Sequence, residues 1–491
     1  MFRKQSPAAS STLPWTNKSE SSSKLKETHN YNMNYNPHII ISTTQFSTKN
    51  DHHNKKLSSL LPNKTKHNFC DGNVSVFVYD LPSRFNLGLL AHCENLNIYT
   101  NMCPHVANHG LGKPIRNYMG GLISSGTPSW FATHQFIAEM IFHARVENHA
   151  CRTWDPDEAD VFYVPFYGGL HASSMFREAN HTLRDALAVD LIEYLRNQPW
   201  WRKRNGRDHF LALGRTAWDF MRTQDGPGPG PGPGHDFGAN RLLNLPHVRN
   251  MSVLTVERHP WKGSNQYGIP YPSYFHPAAV SEMEKWQQTV RESERPHLFS
   301  FVGGPRKGLE KAAIRAEILR QCEGSARCAL LKCGDDGGGM KCHSPSAVLD
   351  VMTRSQFCLQ APGDSFTRRS TFDAVLAGCI PVFFSRHTAY SQYAWYLPER
   401  TTSYSVLIDE KGKGSRTIEE ELLKIPREKV KRMREVVINM IPRLTYAHPN
   451  ATDVGFKDAV DVALVHLSRV VQAKVNDGDG DGERLRTRAE I

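Results

Sequence analysis

The sequence contains no run of about 18 or more apolar residues, so it predicts no membrane-spanning helix. Its start, MFRKQSPAAS, carries basic side chains but lacks the apolar segment of a secretory signal. Acidic residues are scarce near the start: residues 1–70 hold ten Lys or Arg and three Asp or Glu, which is +7 of the net charge of +11. The rest of the chain is therefore nearly balanced in charge, which argues against a nucleic-acid partner.

The ten cysteines lack the close C-x2-C pairs that structural zinc sites use. We therefore expect disulfides among Cys322, Cys328, Cys333 and Cys342, with no pairing predicted, whereas Cys358 and Cys379 can be core residues. Six glycosylation sequons and this cysteine content favour a lumenal compartment. The sequons lie at Asn17, Asn63, Asn73, Asn180, Asn250 and Asn450.

Three segments have the low complexity of disordered chain. Residues 1–70 are basic and rich in Ser, Asn, Thr and His, and they predict a disordered arm. The stretch DGPGPGPGPGH at 225–235 predicts a surface insertion, because Pro and Gly suit neither a helix nor a central strand. The Gly/Asp-rich end, 476–491, predicts a disordered tail.

Nine short apolar, β-branched runs alternate with helical patterns between these segments. Nearly continuous apolar strands are typical of parallel sheets that are covered on both faces, so two sets of them predict two doubly wound α/β domains. Helices are predicted over 134–146, over 418–444 with a break before Pro426, and over 456–472. The runs are 74–80, 159–165, 208–213 and 252–256, followed by 297–302, 328–333, 356–360, 380–384 and 404–408.

The stretch APGDSFTRRSTFDAVLAGCIPVFF (361–384) predicts a loop, a helix and a buried strand. Asp364, Ser365 or Thr367 can cap the start of this helix, and Gly378 suits the left-handed residue just past its end. The loop follows the carboxyl end of a strand, which is where open α/β sheets bind their ligands.

Two arginines fall in the predicted first turn of this helix, where the helix dipole disfavours cations. A diphosphate would relieve the conflict by binding Arg368 and Arg369, and Asp373 could accept hydrogen bonds from sugar hydroxyls. The alternative is that both arginines are solvated and Asp373 only pairs with Arg369 at i,i+4. A second loop, in FSFVGGPRKG (299–308), places Arg306 after two glycines and favours the diphosphate site.

Five motifs in order over residues 70–410 resemble the exostosin domain of glycosyltransferase family 47, and within it the plant xyloglucan galactosyltransferase branch. They are VFVYDLPSRFN, ADVFYVPFYGGL, GIPYPSYFHP, FSFVGGPR and GDSFTRRSTFDAVLAGCIPVFF. The resemblance implies the GT-B architecture, with a Rossmann-like acceptor domain at 71–256, a nucleotide-sugar domain at 257–445 and a helix at 446–475.

The resemblance also implies an inverting transfer of galactose from UDP-galactose to xylosyl side chains of xyloglucan or a related cell-wall polysaccharide, at the Golgi membrane and without an essential metal. In agreement, no DxD pair follows a strand, since Asp155 and Asp157 precede one. Arginines and helix starts would then neutralise the leaving UDP. The donor-binding residues implied are Arg306, Asp364, Ser365, Thr367, Arg368, Arg369 and Asp373.

Inversion also requires a general base from the first domain. Asp80, after the first strand, and Asp219, beside Trp218, are the candidates, although Asp80 can instead be a capping or turn residue. Trp218 could stack on a sugar, and Tyr271 and Tyr274 either line the cleft or belong to a structural connection. Other readings keep the fold but change the donor to UDP-arabinose or UDP-galacturonic acid, or make the chain a non-catalytic glycan-binding partner of a Golgi transferase complex.

Overall fold

The computed structural model describes residues 74–115, 128–223, 238–306, 308–334, 342, 344–451 and 454–489. The predicted arm at 1–70 and the insertion at 225–235 lie outside the described residues. Among the residues described, no helix is both long enough and apolar enough to cross a bilayer.

Two parallel sheets organise the chain, as the apolar runs predict. The first sheet has the order β2-β1-β3-β4-β5-β6 and the second has the order β11-β10-β9-β7-β8. In the first sheet the strands are β1 (Val76–Val78), β2 (Arg152–Thr153), β3 (Val161–Val164), β4 (His209–Thr216), β5 (Ser252–Glu257) and β6 (Gln266–Gly268). In the second they are β7 (His297–Gly303), β8 (Cys328–Lys332), β9 (Ser355–Gln360), β10 (Ile380–Phe383) and β11 (Val406–Leu407).

Helices connect and cover these strands, as doubly wound sheets require. The boundaries drawn between the two domains remain a prediction, and β6, which follows residue 257, hydrogen-bonds within the first sheet. The helices are α1 (Cys103–Val106), α2 (Ala138–Glu147), α3 (Gly168–Ser174), α4 (His181–Arg196), α5 (Pro199–Arg204), α6 (Val280–Glu292), α7 (Ile314–Glu323), α8 (Pro345–Thr353), α9 (Ser370–Leu376), α10 (Ile418–Leu423), α11 (Arg427–Leu444) and α12 (Ala459–Ala489).

The last helix, α12, returns from the second sheet to the first. Asp458, just before it, accepts a hydrogen bond from the Nε of Arg145 on α2 at 2.8 Å, and both side chains are buried. Asp461 contacts His149 at 2.8 Å. The helix runs to Ala489, through the segment where the sequence predicts a disordered tail. That segment has no proline, and extending an existing helix costs less than starting one.

Four disulfides lie within the described residues: Cys93–Cys103, Cys322–Cys328, Cys333–Cys342 and Cys358–Cys379. The disulfides expected in the second domain are therefore present. The expectation that Cys358 and Cys379 are merely core residues is wrong. Cys358 lies in β9 and Cys379 directly precedes the neighbouring parallel strand β10, which brings their Cα atoms to 5.8 Å.

Candidate active site

The candidate site lies where the carboxyl ends of the two sheets meet. In the second sheet the chain leaves β7 for β8 on one side and continues to β9 and β10 on the other. The loops that follow β7 and β9 therefore diverge at a topological switch point, the place where α/β sheets form a ligand crevice. Glu257, the last residue of β5, reaches this crevice from the first sheet and contacts Thr367 of the loop after β9.

A group of cations lines the crevice, and we call it the basic cluster: Arg306, Lys311, Arg315 and Arg368. Arg315 on α7 holds the two loops together, because its guanidinium donates to the carbonyls of Pro362 (2.7 Å) and Gly304 (2.9 Å). Burial, together with the charges of Arg368 and Arg306, lowers the pKa of Arg315 to about 10. The mutual repulsion of these cations makes the crevice a favourable place for an anion.

The guanidinium of Arg368 is fixed by its own loop. Nη1 donates to the carbonyl of Thr367 at 2.9 Å and to Oγ of Ser365 at 3.3 Å. Nη2 is buried and has no hydrogen-bond partner among the described residues. Gly363 makes room for this group, because a Cβ there would lie 1.8 Å from Nη2. Arg368 therefore has an unused donor in a crevice that favours anions.

Arg369 has different surroundings from Arg368, although the sequence predicts the same diphosphate contact for both. Its guanidinium lies 3.6 Å from the centroid of the Tyr274 ring, donates to the carbonyl of Thr133 at 2.5 Å and faces Asp373 at 3.5 Å. The side chain is only 12% exposed. The pairing of Arg369 with Asp373 is thus present, but a solvated Arg369 is ruled out by its burial. Arg369 joins the loop after β9 to the 131–136 segment of the first domain.

Asp373 is enclosed on α9. Its Oδ1 accepts a hydrogen bond from Oγ of Ser273 at 2.6 Å, and its other oxygen faces Arg369. Burial raises its pKa, and the Arg369 charge partly offsets the shift. Both carboxylate oxygens of Asp373 thus already face protein groups. The predicted hydrogen bonds from sugar hydroxyls to Asp373 do not fit this arrangement.

The side chains that were predicted to cap the start of α9 bond to other groups instead. Helix α9 begins at Ser370, so Arg369 takes the cap position, and no side chain makes a capping hydrogen bond there. Asp364 instead pairs with Arg306 at 3.2 Å. The hydroxyls of Ser365 and Thr367 both donate to Glu257. The left-handed residue after the helix is correctly predicted, since Gly378 has φ +61°.

The aromatic residues predicted for the cleft divide into two groups. Tyr271 is 2% exposed and contacts Thr367 Oγ1, and Tyr274 is 5% exposed beneath Arg369, so neither ring offers a face to a sugar. Burial raises the pKa of Tyr274 to about 12. Trp218 is half-buried, lies at a tilt to His259 with 4.1 Å between the ring centroids, and donates its Nε1–H to Glu257 at 3.0 Å.

The two candidate bases lie in different surroundings. Asp80 is exposed, and its backbone carbonyl lies 3.5 Å from the hydroxyl of Tyr194 on α4, within the first domain. Asp219 is buried, and its Oδ2 accepts from Arg215 at 2.8 Å and from Thr216 at 3.0 Å. The assignment of a base to either residue stays a prediction.

Sequence reasoning missed Glu257, Lys311 and Arg315. Glu257 had one usable signal, since it is the last residue of an apolar strand and so lies at the ligand-binding edge of its sheet. Lys311 and Arg315 had none, because each lies in or next to a helix among other charged residues and its place at the crevice depends on the fold.

The chain has two parallel α/β sheets that meet at a basic cluster, and comparison with known proteins identifies it as a glycosyltransferase. The model of the exostosin GT47 domain matches residues 70–420, and the chain belongs to this family.

Two relatives from Arabidopsis thaliana show the degree of similarity. A probable xyloglucan galactosyltransferase is 63% identical over 83% of this chain and 84% of its own length. A xyloglucan galactosyltransferase is 44% identical over 84% of this chain, which spans 65% of that relative. Among solved structures, the crystal structure of a GtfA/B complex matches 58% of this chain and 60% of that chain at 8% identity, with a TM-score of 0.28, which is too low to support an inference.

Proposed function

We propose that this protein is an inverting glycosyltransferase that transfers galactose from UDP-galactose to xylosyl side chains of xyloglucan or a related cell-wall polysaccharide. The basic cluster at the switch point of the second sheet carries the proposal, because it offers an unused arginine donor to a diphosphate. The choice of sugar and acceptor is supported by the relatives named above.

The proposed reaction uses the charges at the crevice. An acceptor hydroxyl attacks the anomeric carbon, its proton passes to a base, and the bond from that carbon to the UDP oxygen breaks. The leaving UDP gains negative charge, which Arg368, Arg306 and Lys311 are placed to stabilise. We propose that these cations take the role of a divalent metal. We also propose a Golgi location, which the disulfides support.

The decisive experiment is a transfer assay with UDP-galactose and xylosylated glucan oligosaccharides. We expect a galactosylated product whose new linkage has the inverted anomeric configuration by NMR, in amounts that EDTA does not change. Product with UDP-arabinose or UDP-galacturonic acid but not UDP-galactose would reject the donor. UDP binding without transfer from any donor would favour a non-catalytic glycan-binding partner. Activity that EDTA abolishes and Mn²⁺ restores would reject the metal-free mechanism.

An exposed tryptophan at the crevice is a candidate acceptor contact. Trp261 is 64% exposed, and its ring lies 5.7 Å from Phe366 and 5.2 Å from His387, between centroids. We expect Trp261→Ala to raise the KM for the oligosaccharide roughly two- to tenfold, because one aromatic contact contributes about 0.5–1.5 kcal/mol. The KM for UDP-galactose should stay unchanged.

The control for this prediction is Trp154→Ala. Trp154 is 75% exposed and stacks with Arg152 at 3.7 Å, after the edge strand β2 of the first sheet. Trp154→Ala should leave the KM for the oligosaccharide and the KM for UDP-galactose as in the wild type. A rise in the donor KM alone for Trp261→Ala would assign the indole to the nucleotide instead of the acceptor.

A further inference from the structure

Glu257 is the most heavily hydrogen-bonded side chain at the crevice. It is the last residue of β5 and has no exposed surface. Its Oε2 accepts from Ser365 Oγ (2.6 Å), Thr367 N (2.8 Å) and Thr367 Oγ1 (2.5 Å). Its Oε1 accepts from Trp218 Nε1 (3.0 Å) and Phe366 N (3.3 Å). A carboxylate of the first sheet thus receives four of its five hydrogen bonds from the loop after β9.

These bonds extend to Arg368 through one hydroxyl. Ser365 donates its hydroxyl proton to Glu257, which leaves its oxygen free to accept from Arg368 Nη1 at 3.3 Å. The carboxylate therefore fixes the direction of this hydroxyl, and the hydroxyl helps to fix the guanidinium. The N–H groups of Phe366 and Thr367 already bind Glu257, whereas Nη2 of Arg368 has no partner among the described residues and is a donor left for a phosphate.

We propose that Glu257 is a positioning residue, which aligns Arg368 for the diphosphate of a nucleotide sugar while it holds Trp218 on the acceptor side. The role rests on the proposed function, because it presumes a nucleotide-sugar donor. In this role Glu257 is not the general base, because its side chain is enclosed and its oxygens already accept five hydrogen bonds.

The chemistry requires a carboxylate at this position. All five partners are donors, and an ionised carboxylate is an acceptor with two oxygens. A glutamine would turn an NH₂ group toward at least two of these donors in either orientation of its amide. Glu257→Gln should therefore release the loop and misplace Arg368, although the loss of one negative charge would by itself favour an anion. A weaker affinity of this variant for the nucleotide sugar would therefore reflect the lost alignment of Arg368.

The chain supplies a matched control in Glu139. This carboxylate is also fully buried, and it accepts from three backbone N–H groups, those of Gly169, Leu170 and Gly214. All three partners belong to the first domain. Glu139→Gln likewise replaces a buried carboxyl group by an amide and turns the NH₂ toward at least one backbone N–H, but away from the loop after β9. It should lower the melting temperature and leave the Kd of UDP unchanged.

The test compares UDP binding by calorimetry, per mole of folded protein, in the wild type and in Glu257→Gln, Ser365→Ala and Glu139→Gln. We expect the Kd of UDP to rise at least tenfold in Glu257→Gln and severalfold in Ser365→Ala, which removes the hydroxyl that links Glu257 to Arg368. The double variant Glu257→Gln/Ser365→Ala should bind UDP no more weakly than Glu257→Gln alone, because both changes break the same series of contacts to Arg368. Trp218→Phe should leave the Kd unchanged.

Three outcomes would overturn the role of Glu257: a wild-type Kd in Glu257→Gln, an equal loss in Glu139→Gln, or additive losses in the double variant. If Glu257→Gln does not fold, an unchanged Kd in Ser365→Ala overturns it. UDP binding requires neither the acceptor nor the sugar, so a wild type that binds UDP but transfers no galactose rejects the proposed function alone. A wild type that binds no UDP rejects both.

Discussion

Replacement of Arg368 by alanine should lower kcat/KM for UDP-galactose by roughly 100- to 1000-fold, the loss that follows removal of one oxyanion-stabilising donor. Its Nη2 is the buried donor of the basic cluster that has no partner among the described residues. The loss should appear in kcat as well as in KM, because negative charge on UDP grows as the glycosidic bond breaks. Steady-state kinetics measure it, and circular dichroism should show an intact fold.

The neighbouring arginine provides the comparison. Arg369→Ala leaves Asp373 buried without its cation, so it should reduce the free energy of unfolding by roughly 3–5 kcal/mol. The two adjacent variants therefore separate catalysis from stability. Wild-type kcat/KM in Arg368→Ala, or loss of stability in that variant with none in Arg369→Ala, would contradict this division of roles.

The sheets were predictable because of a simple physical constraint. A parallel strand that is buried on both faces must be apolar along its length, and all nine predicted runs coincide with strands. The strands β2 and β6 were missed because their sequences, Arg-Thr and Gln-Tyr-Gly, contain no apolar run. The sequence also located the crevice. It predicted binding loops directly after the strands β7 and β9, and these two loops lie at the switch point.

The partners of polar side chains were not predictable. Ser365 and Thr367 are suited to cap a helix, but a carboxylate more than 100 residues away in sequence competes for both hydroxyls. Likewise, a tyrosine in a Pro-rich segment suits either a sugar or an arginine, and only the packing of Arg369 on Tyr274 decides between them. Local sequence determines which bonds a side chain can make, while the fold determines which group it meets.

The buried ion pair between Arg145 and Asp458 should be a major source of stability. Asp458 is fully buried, and its carboxylate also accepts from the N–H of Ala447 at 3.0 Å and of Val460 at 2.8 Å. Asp458→Asn would turn an amide toward these donors and leave the Arg145 charge uncompensated. We expect the free energy of unfolding in urea to fall by roughly 3–5 kcal/mol at pH 7. Glu435→Ala breaks the exposed pair with Arg291 and should cost less than about 1 kcal/mol.

The pH dependence of this loss tests its electrostatic origin. Burial alone would raise the pKa of Asp458, but the charge of Arg145 and the hydrogen bonds hold it below its usual range. A carboxyl group whose pKa is lower in the folded state stabilises the protein above its unfolded pKa, about 3.9, and this contribution is lost as the pH falls toward the folded pKa. The difference between wild type and Asp458→Asn should therefore be constant from pH 7 to 5 and shrink below about pH 4. A difference that stays constant down to pH 3 would show that packing, not charge, holds the C-terminal segment to the first domain.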